Sequence, residues 1–148
     1  MEKEILLQEI KEVYQVRNDV IMPIEKIYSS FQVADFLKKE IGRLTQEKFV
    51  ALFLNVKGYV LAYTVISIGT LDQSIAHPRD LFQRALLTNC ASIIIAHNHP
   101  SGTLTPSESD KVTTERIKKG CAILGFQLLD HLIVSETEFF SFRGAGLL

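Results

Sequence analysis

The chain has 148 residues, a formal net charge of −1, 47% hydrophobic and 22% charged residues. That composition excludes a disordered chain and describes one globular domain able to bury about 68–70% of its unfolded surface. No apolar run approaches the length of a membrane span, and Met1-Glu2-Lys3-Glu4 lacks the basic start and small-residue cleavage site of a secretory leader. A near-zero charge gives no clear signal for nucleic acid: Lys38-Lys39 and Lys118-Lys119 read as solvated helix faces, and no aromatic-interleaved basic groove is visible.

In chain order, residues 4–16 read in two ways. Leu6, Ile10, Val13 and Tyr14 make a helical face, while 13–16 also suit the start of a strand. Residues 17–28, with Asn18-Asp19 and Met22-Pro23, read as a connector, so 1–26 form an N-terminal extension packed on a domain of 27–148. The pattern predicts a helix over 30–41, opened by a Ser29–Gln32 capping box, with Val33, Phe36, Leu37 and Ile41 facing the core and Gly42 ending it. Strands over 49–56 and 59–68 turn at Lys57-Gly58 as a hairpin, and Gly69-Thr70 opens a loop. A helix over 78–89 follows, with Pro78 in its first turn and Leu81, Phe82, Ala85 and Leu86 as its buried stripe. His77 reads as the residue that starts this helix, ahead of a role at the site. The β-branched run 92–96 reads as a buried central strand.

A helix over 108–124 comes next, with Ser107 as its N-cap, Val112, Ile117, Cys121 and Leu124 as its apolar stripe and Gly125 as its stop. Gly120 weakens its last turn. Strands over 126–135 and 139–142, joined by a turn at 136–138, complete the domain. Asp130-His131 lies inside the first of them, and a lone histidine in an apolar strand reads as a core residue ahead of a supporting role to a metal. Cys90 and Cys121 fit no metal-ligand spacing and read as free core thiols, which makes a cytoplasmic location the simplest expectation.

The chemistry sits in His97-Asn98-His99-Pro100-Ser101-Gly102, followed by Pro106-Ser107 and Asp110. Side chains alternate along a strand, so His97 and His99 project to one side of its end and Asn98 to the other. Pro100 stops ladder pairing and Gly102 lets the chain turn. Ser107 to Asp110 is an acidic capping box, which brings a carboxylate to the start of the next helix. Two imidazoles and a carboxylate are donors that zinc accepts, and three protein ligands leave a fourth position for water, as in catalytic rather than structural sites.

His-x-His, seven residues, then Ser-x-x-Asp resembles the JAMM (JAB/MPN) metalloprotease signature. The longer run 97–102 with Pro106-Ser107 and Asp110 resembles its RadC branch, as do Glu47 leading into Leu52-Phe53-Leu54-Asn55, Gly69-Thr70, His77-Pro78-Arg79 and Asp130-His131. The resemblance covers about 27–148. It implies an α/β fold, three-layer α/β/α with a mixed central sheet, similar in arrangement to the cytidine deaminases. Longer RadC-like proteins resemble a fusion to an N-terminal helix-hairpin-helix region, for which this sequence is expected to be too short.

By the same resemblance, His97, His99 and Asp110 match ligands of one Zn2+ ion. Ser107 matches a serine that orients water or the oxyanion, and Glu47 matches the general acid/base. From the residues alone Glu47 is a carboxylate at a sheet end, and a solvated loop carboxylate remains open for it, with Glu40 its nearest competitor. The expected function is a zinc-dependent hydrolase of peptide, isopeptide or other amide bonds acting on a peptide or protein substrate. The alternative is a non-catalytic metal-binding interaction module in DNA repair or processing. A nucleobase deaminase needs His-x-Glu and Pro-Cys-x-x-Cys, and the sequence has neither.

Overall fold

The computed structural model describes residues 24–69 and 77–148. The readings for 4–16 and for Met22-Pro23 and Thr70 lie outside the described residues. Three helices and five strands follow in the order α1 (Ser30–Glu40), β1 (Lys48–Leu54), β2 (Val60–Ile68), α2 (Pro78–Thr88), β3 (Ser92–Asn98), α3 (Glu108–Leu124), β4 (Gln127–Val134) and β5 (Phe139–Ser141). The sheet order is β2-β1-β3-β4-β5. β3 and β4 run parallel and the other neighbours antiparallel. The sheet is therefore mixed, as expected.

Alternation along the central strands builds two cores. Phe49, Ala51, Phe53, Ile93 and Ile95 point to one face and meet Leu81, Phe82 and Ala85 of α2 and Ile117 and Cys121 of α3. Val50, Leu52, Leu54, Ile94 and Ala96 point to the other and meet Val33, Ala34, Leu37 and Ile41 of α1. This gives the three-layer α/β/α arrangement. β1 and β3, covered on both faces, are buried almost throughout, whereas β2 forms a half-buried edge.

Local chemistry sets the element ends. Ser29 Oγ accepts the Gln32 N–H at 3.5 Å. The reciprocal bond of the expected box goes elsewhere, because Gln32 Oε1 accepts from Tyr28 N, not Ser29 N. The β1–β2 turn is held by Asn55, whose Oδ1 accepts from Lys57 N and Tyr59 N, with Gly58 at a φ of +83°. His77 is the N-cap of α2 and makes no side-chain cap bond, as expected of a residue that only starts a helix.

Two helix stripes differ from expectation. Leu86 of α2 is 55% exposed, and Val112 and Leu124 of α3 are 59% and 43% exposed. The buried line of α3 is Asp110, Thr113, Thr114, Ile117 and Cys121. Its upper half faces a polar site at the sheet end, so hydroxyls and a carboxylate take the places that an apolar count assigns to Val112. Gly120 has a packing reason: a Cβ there would lie 2.4 Å from Cε2 and 2.6 Å from Cζ of Phe82, so α2 and α3 meet where α3 has no side chain. The last turn is intact and closes at Gly125 in the left-handed region.

Candidate metal centre

The carboxyl end of β3 meets the start of α3. β3 runs two residues past its β-branched run, with Phe49 opposite His97 on one side and Ile133 beside it on the other. His99 N still bonds Val134 O at 3.2 Å, and Pro100 ends the ladder. Ser107, extended at φ −74° and ψ 164°, caps α3: its Oγ accepts Asp110 N at 3.0 Å, and Asp110 Oδ2 accepts Ser107 N at 2.8 Å. The capping box fixes the carboxylate in one orientation, with its oxygens toward the strand end.

His97, His99 and Asp110 thereby each offer one ligand atom, all within 4.8 Å of one another. The two Nε2 atoms are 2.9 Å apart; His97 Nε2 lies 3.2 Å from Asp110 Oδ1 and His99 Nε2 lies 3.4 Å from Asp110 Oδ2. Two imidazole nitrogens this close, beside one buried carboxylate, converge on a position that a shared proton or a metal ion can occupy. His99 Nδ1 is 2.6 Å from the Thr103 carbonyl, which only accepts, so the neutral ring carries its proton there and keeps an Nε2 lone pair. Two nitrogens and one carboxylate oxygen fit a zinc-type ion with three protein ligands.

Electrostatics agree with this donor set. The Asp110 carboxylate raises the His99 imidazole above its usual range against the opposing pull of burial, with the Thr103 carbonyl and the Glu47 charge adding to the rise. Burial works to raise the Asp110 carboxyl, yet bonds from His97, His99 and the Ser107 backbone together hold it far below the carboxylate range. Burial first, and then the charge of His97, keep His131 well below the ordinary imidazole value, with Asp110 pulling the other way.

Glu47 stands immediately before β1, and its charge reaches His99. Its backbone oxygen accepts Gly69 N at 2.9 Å, while its side-chain Oε2 is buried with no hydrogen-bond partner among the described residues. Glu40, the competing carboxylate, ends α1 on the far layer. Its charge there acts on Tyr63, which burial and Glu40 together push up to about 12. Of the two glutamates, Glu47 is the one whose charge reaches His99, whereas that of Glu40 acts on Tyr63.

Three side chains at the site make contacts that sequence reasoning did not place. Asn98, turned away from its histidine neighbours, accepts Lys48 N at 2.7 Å and donates to Gln46 O at 3.1 Å and Leu44 O at 3.4 Å. It ties the Glu47 segment to β3. His131 is fully buried, as expected of a core residue, and its Nε2 lies 2.9 Å from His97 Nδ1. Thr114 Oγ1 lies 2.6 Å from His131 Nδ1 and donates to Asp110 O at 2.7 Å. The one hint in the sequence was polarity: Asn98 and His131 interrupt buried apolar strands.

Beside His99 opens a cavity of about 560 Å3, lined by Gly42, Leu44, Thr45, Pro100 and Ser135 among others. Among the described residues no helix is long and apolar enough to cross a membrane.

Comparison with known proteins agrees with this geometry. The family described as "RadC-like JAB domain" matches residues 27–147. A UPF0758 protein of Staphylococcus carnosus (strain TM300) is 42% identical over 121 residues, 82% of this chain and 54% of that protein. A UPF0758 protein of Staphylococcus aureus (strain NCTC 8325 / PS 47) is 46% identical over 121 residues, 82% of this chain and 56% of that protein. The match thus spans about half the length of these curated relatives. On the family match over nearly all of the described fold, the chain belongs to the RadC-like JAB domain family.

Proposed function

We propose that this domain is a zinc-dependent hydrolase of peptide, isopeptide or other amide bonds. The observation that carries the reading is the convergence of His97 Nε2, His99 Nε2 and the Asp110 carboxylate at a strand end, with a cavity alongside. Zinc held by these three would supply a Lewis acid that lowers the pKa of a water from 15.7 to about 7 and polarises a carbonyl.

The chain's own residues do the rest. Glu47, with a buried unpartnered carboxylate oxygen, accepts the proton of the attacking water and passes it to the leaving amine. Asn98 holds the segment that carries Glu47 in place. Ser107 spends its oxygen lone pair on Asp110 N and keeps its O–H to donate to the oxyanion that forms as the carbonyl is attacked. The cavity beside His99 takes the substrate chain. The net charge of −1 favours a peptide over a nucleic acid, and the buried free thiols Cys90 and Cys121 support a cytoplasmic location.

The test is an unbiased peptide-cleavage profile on purified, zinc-loaded protein. Cleavage that a chelator abolishes and Glu47→Gln suppresses is expected. Zinc-loaded protein that cleaves no peptide or amide library member would overturn the hydrolase reading.

A further inference from the structure

His131 lies on β4, beside β3, and is not among the three residues whose ligand atoms converge, yet it belongs to a chain of short contacts that ends at them. Thr114 Oγ1 donates to the Asp110 carbonyl at 2.7 Å. The hydroxyl has one proton, so toward His131 Nδ1, 2.6 Å away, it accepts. His131 Nδ1 then carries the ring proton and Nε2 a lone pair. That lone pair faces His97 Nδ1 at 2.9 Å, which must donate. A neutral His97 with its proton on Nδ1 has its own lone pair on Nε2, the atom beside Asp110 and His99.

The same atoms permit one other polarity. Were Thr114 to donate to His131 Nδ1, His131 would donate to His97 Nδ1, and His97 would carry its proton on Nε2, closed to a metal. The Asp110 carbonyl decides between the two, because it can only accept. The rings have little freedom to escape this arrangement: Phe142 stacks on His131 at 4.5 Å between centroids and 11° between planes, and Phe49 stacks on His97 at 5.9 Å and 8°.

We infer that His131 is a positioning residue, which with Thr114 holds the His97 ring in the tautomer and orientation that present its Nε2 lone pair to the metal position. The backbone of Asp110 starts the chain whose last member stands beside the Asp110 side chain, so one residue orients a ligand from both ends. Partners of this kind behind a metal-binding histidine typically change metal affinity about 10–100-fold when removed. The inference rests on the metal-centre half of the proposed function and not on hydrolysis.

The test measures zinc affinity by chelator competition, thermal unfolding and imidazole nitrogen shifts by NMR. His131→Phe keeps the stacked ring and loses both nitrogens; affinity is expected to fall about 10–100-fold in a folded protein. His131→Gln places an amide oxygen near Nε2 and is expected to recover most of that loss, which a merely structural role would not predict. Thr114→Val is expected to weaken zinc binding less than His131→Phe. In zinc-loaded wild type, His131 is expected to carry its proton on Nδ1. Wild-type affinity in folded His131→Phe, equal losses in the Phe and Gln variants, or a His131 proton on Nε2 would each overturn the inference. Should His131→Phe not fold, the Gln variant and the His131 tautomer decide. Failure of wild type to bind zinc overturns the metal reading and this inference together. Zinc binding without cleavage overturns only the hydrolase reading.

Discussion

Asn98 Oδ1 accepts the backbone N–H of Lys48 at 2.7 Å, so the strand that presents His97 and His99 on one face grips, on the other, the segment that presents Glu47. That buried amide adds to the β1–β3 ladder in holding the segment of the candidate base against the strand of the candidate ligands. Asn98→Ala removes it and leaves Lys48 N, Gln46 O and Leu44 O without that partner. A single unsatisfied buried group costs about 1–3 kcal/mol. Lower thermal stability and reduced turnover with zinc still bound are expected; turnover at the wild-type level would show that Glu47 is held by other means.

Glu47→Gln keeps the shape of the side chain and removes the proton acceptor. Loss of a general base typically lowers the rate by about 10²–10⁴-fold. The variant is expected to keep its zinc, measured by metal analysis, and to lose hydrolysis by that order. Loss of zinc in parallel with activity would make Glu47 a ligand instead.

Ser107→Ala separates two jobs of one hydroxyl. Its oxygen caps α3 by accepting Asp110 N, and loss of an N-cap costs about 1 kcal/mol. Loss of an oxyanion donor costs about 2.7–4 kcal/mol of barrier lowering. Calorimetry is expected to report the smaller deficit and steady-state kinetics the larger one, with zinc retained. Unchanged hydrolysis in a zinc-loaded variant would leave Ser107 as a cap alone.

Zinc affinity is expected to depend on pH through His99. Ligand nitrogens must be unprotonated to bind metal, and the Asp110 carboxylate raises the metal-free His99 above its ordinary 6.5. The proton therefore competes from above pH 6.5 downward, and apparent affinity falls as pH drops through the raised value. The sign for stability is opposite. In the metal-free protein the His99–Asp110 contact contributes fully below about 6.5, the unfolded value, and is lost as pH rises through the folded one. Asp110, held far below the carboxylate range, stays ionised throughout this window. Chelator competition at several pH values from 5.5 to 8 checks this; an affinity flat over that interval would contradict it.

Gly120→Ala places a Cβ 2.4 Å from a Phe82 ring carbon. Phe82 is itself stacked on Phe126 at 6.3 Å between centroids, so its ring cannot simply swing away. Overpacking of this kind costs about 1–3 kcal/mol. Thermal denaturation is expected to show that loss, whereas a variant as stable as wild type would mean that α2 moves freely against α3.

The architecture was legible where periodicity and turn chemistry agree. Ile93, Ile94 and Ile95 announce a buried strand, Lys57-Gly58 a hairpin turn, and Ser107 with Asp110 a helix start, and each stands where the sequence suggests. The triad was legible because its members lie close in the chain, on a strand end and the helix that follows it. The contact between His131 and His97 was not legible because the two lie 34 residues apart, across a parallel pairing whose register no local pattern encodes. Thr114 escaped for a related reason: a helix that faces a polar site buries hydroxyls, and an apolar count looks past them to Val112, which faces solvent.

Isothermal titration of metal-free protein with zinc, run beside His99→Ala and Asp110→Asn, tests the central claim most directly. Saturation at one ion per wild-type chain, with binding sharply weakened in both variants, is the predicted result. Equal uptake by all three proteins would contradict it.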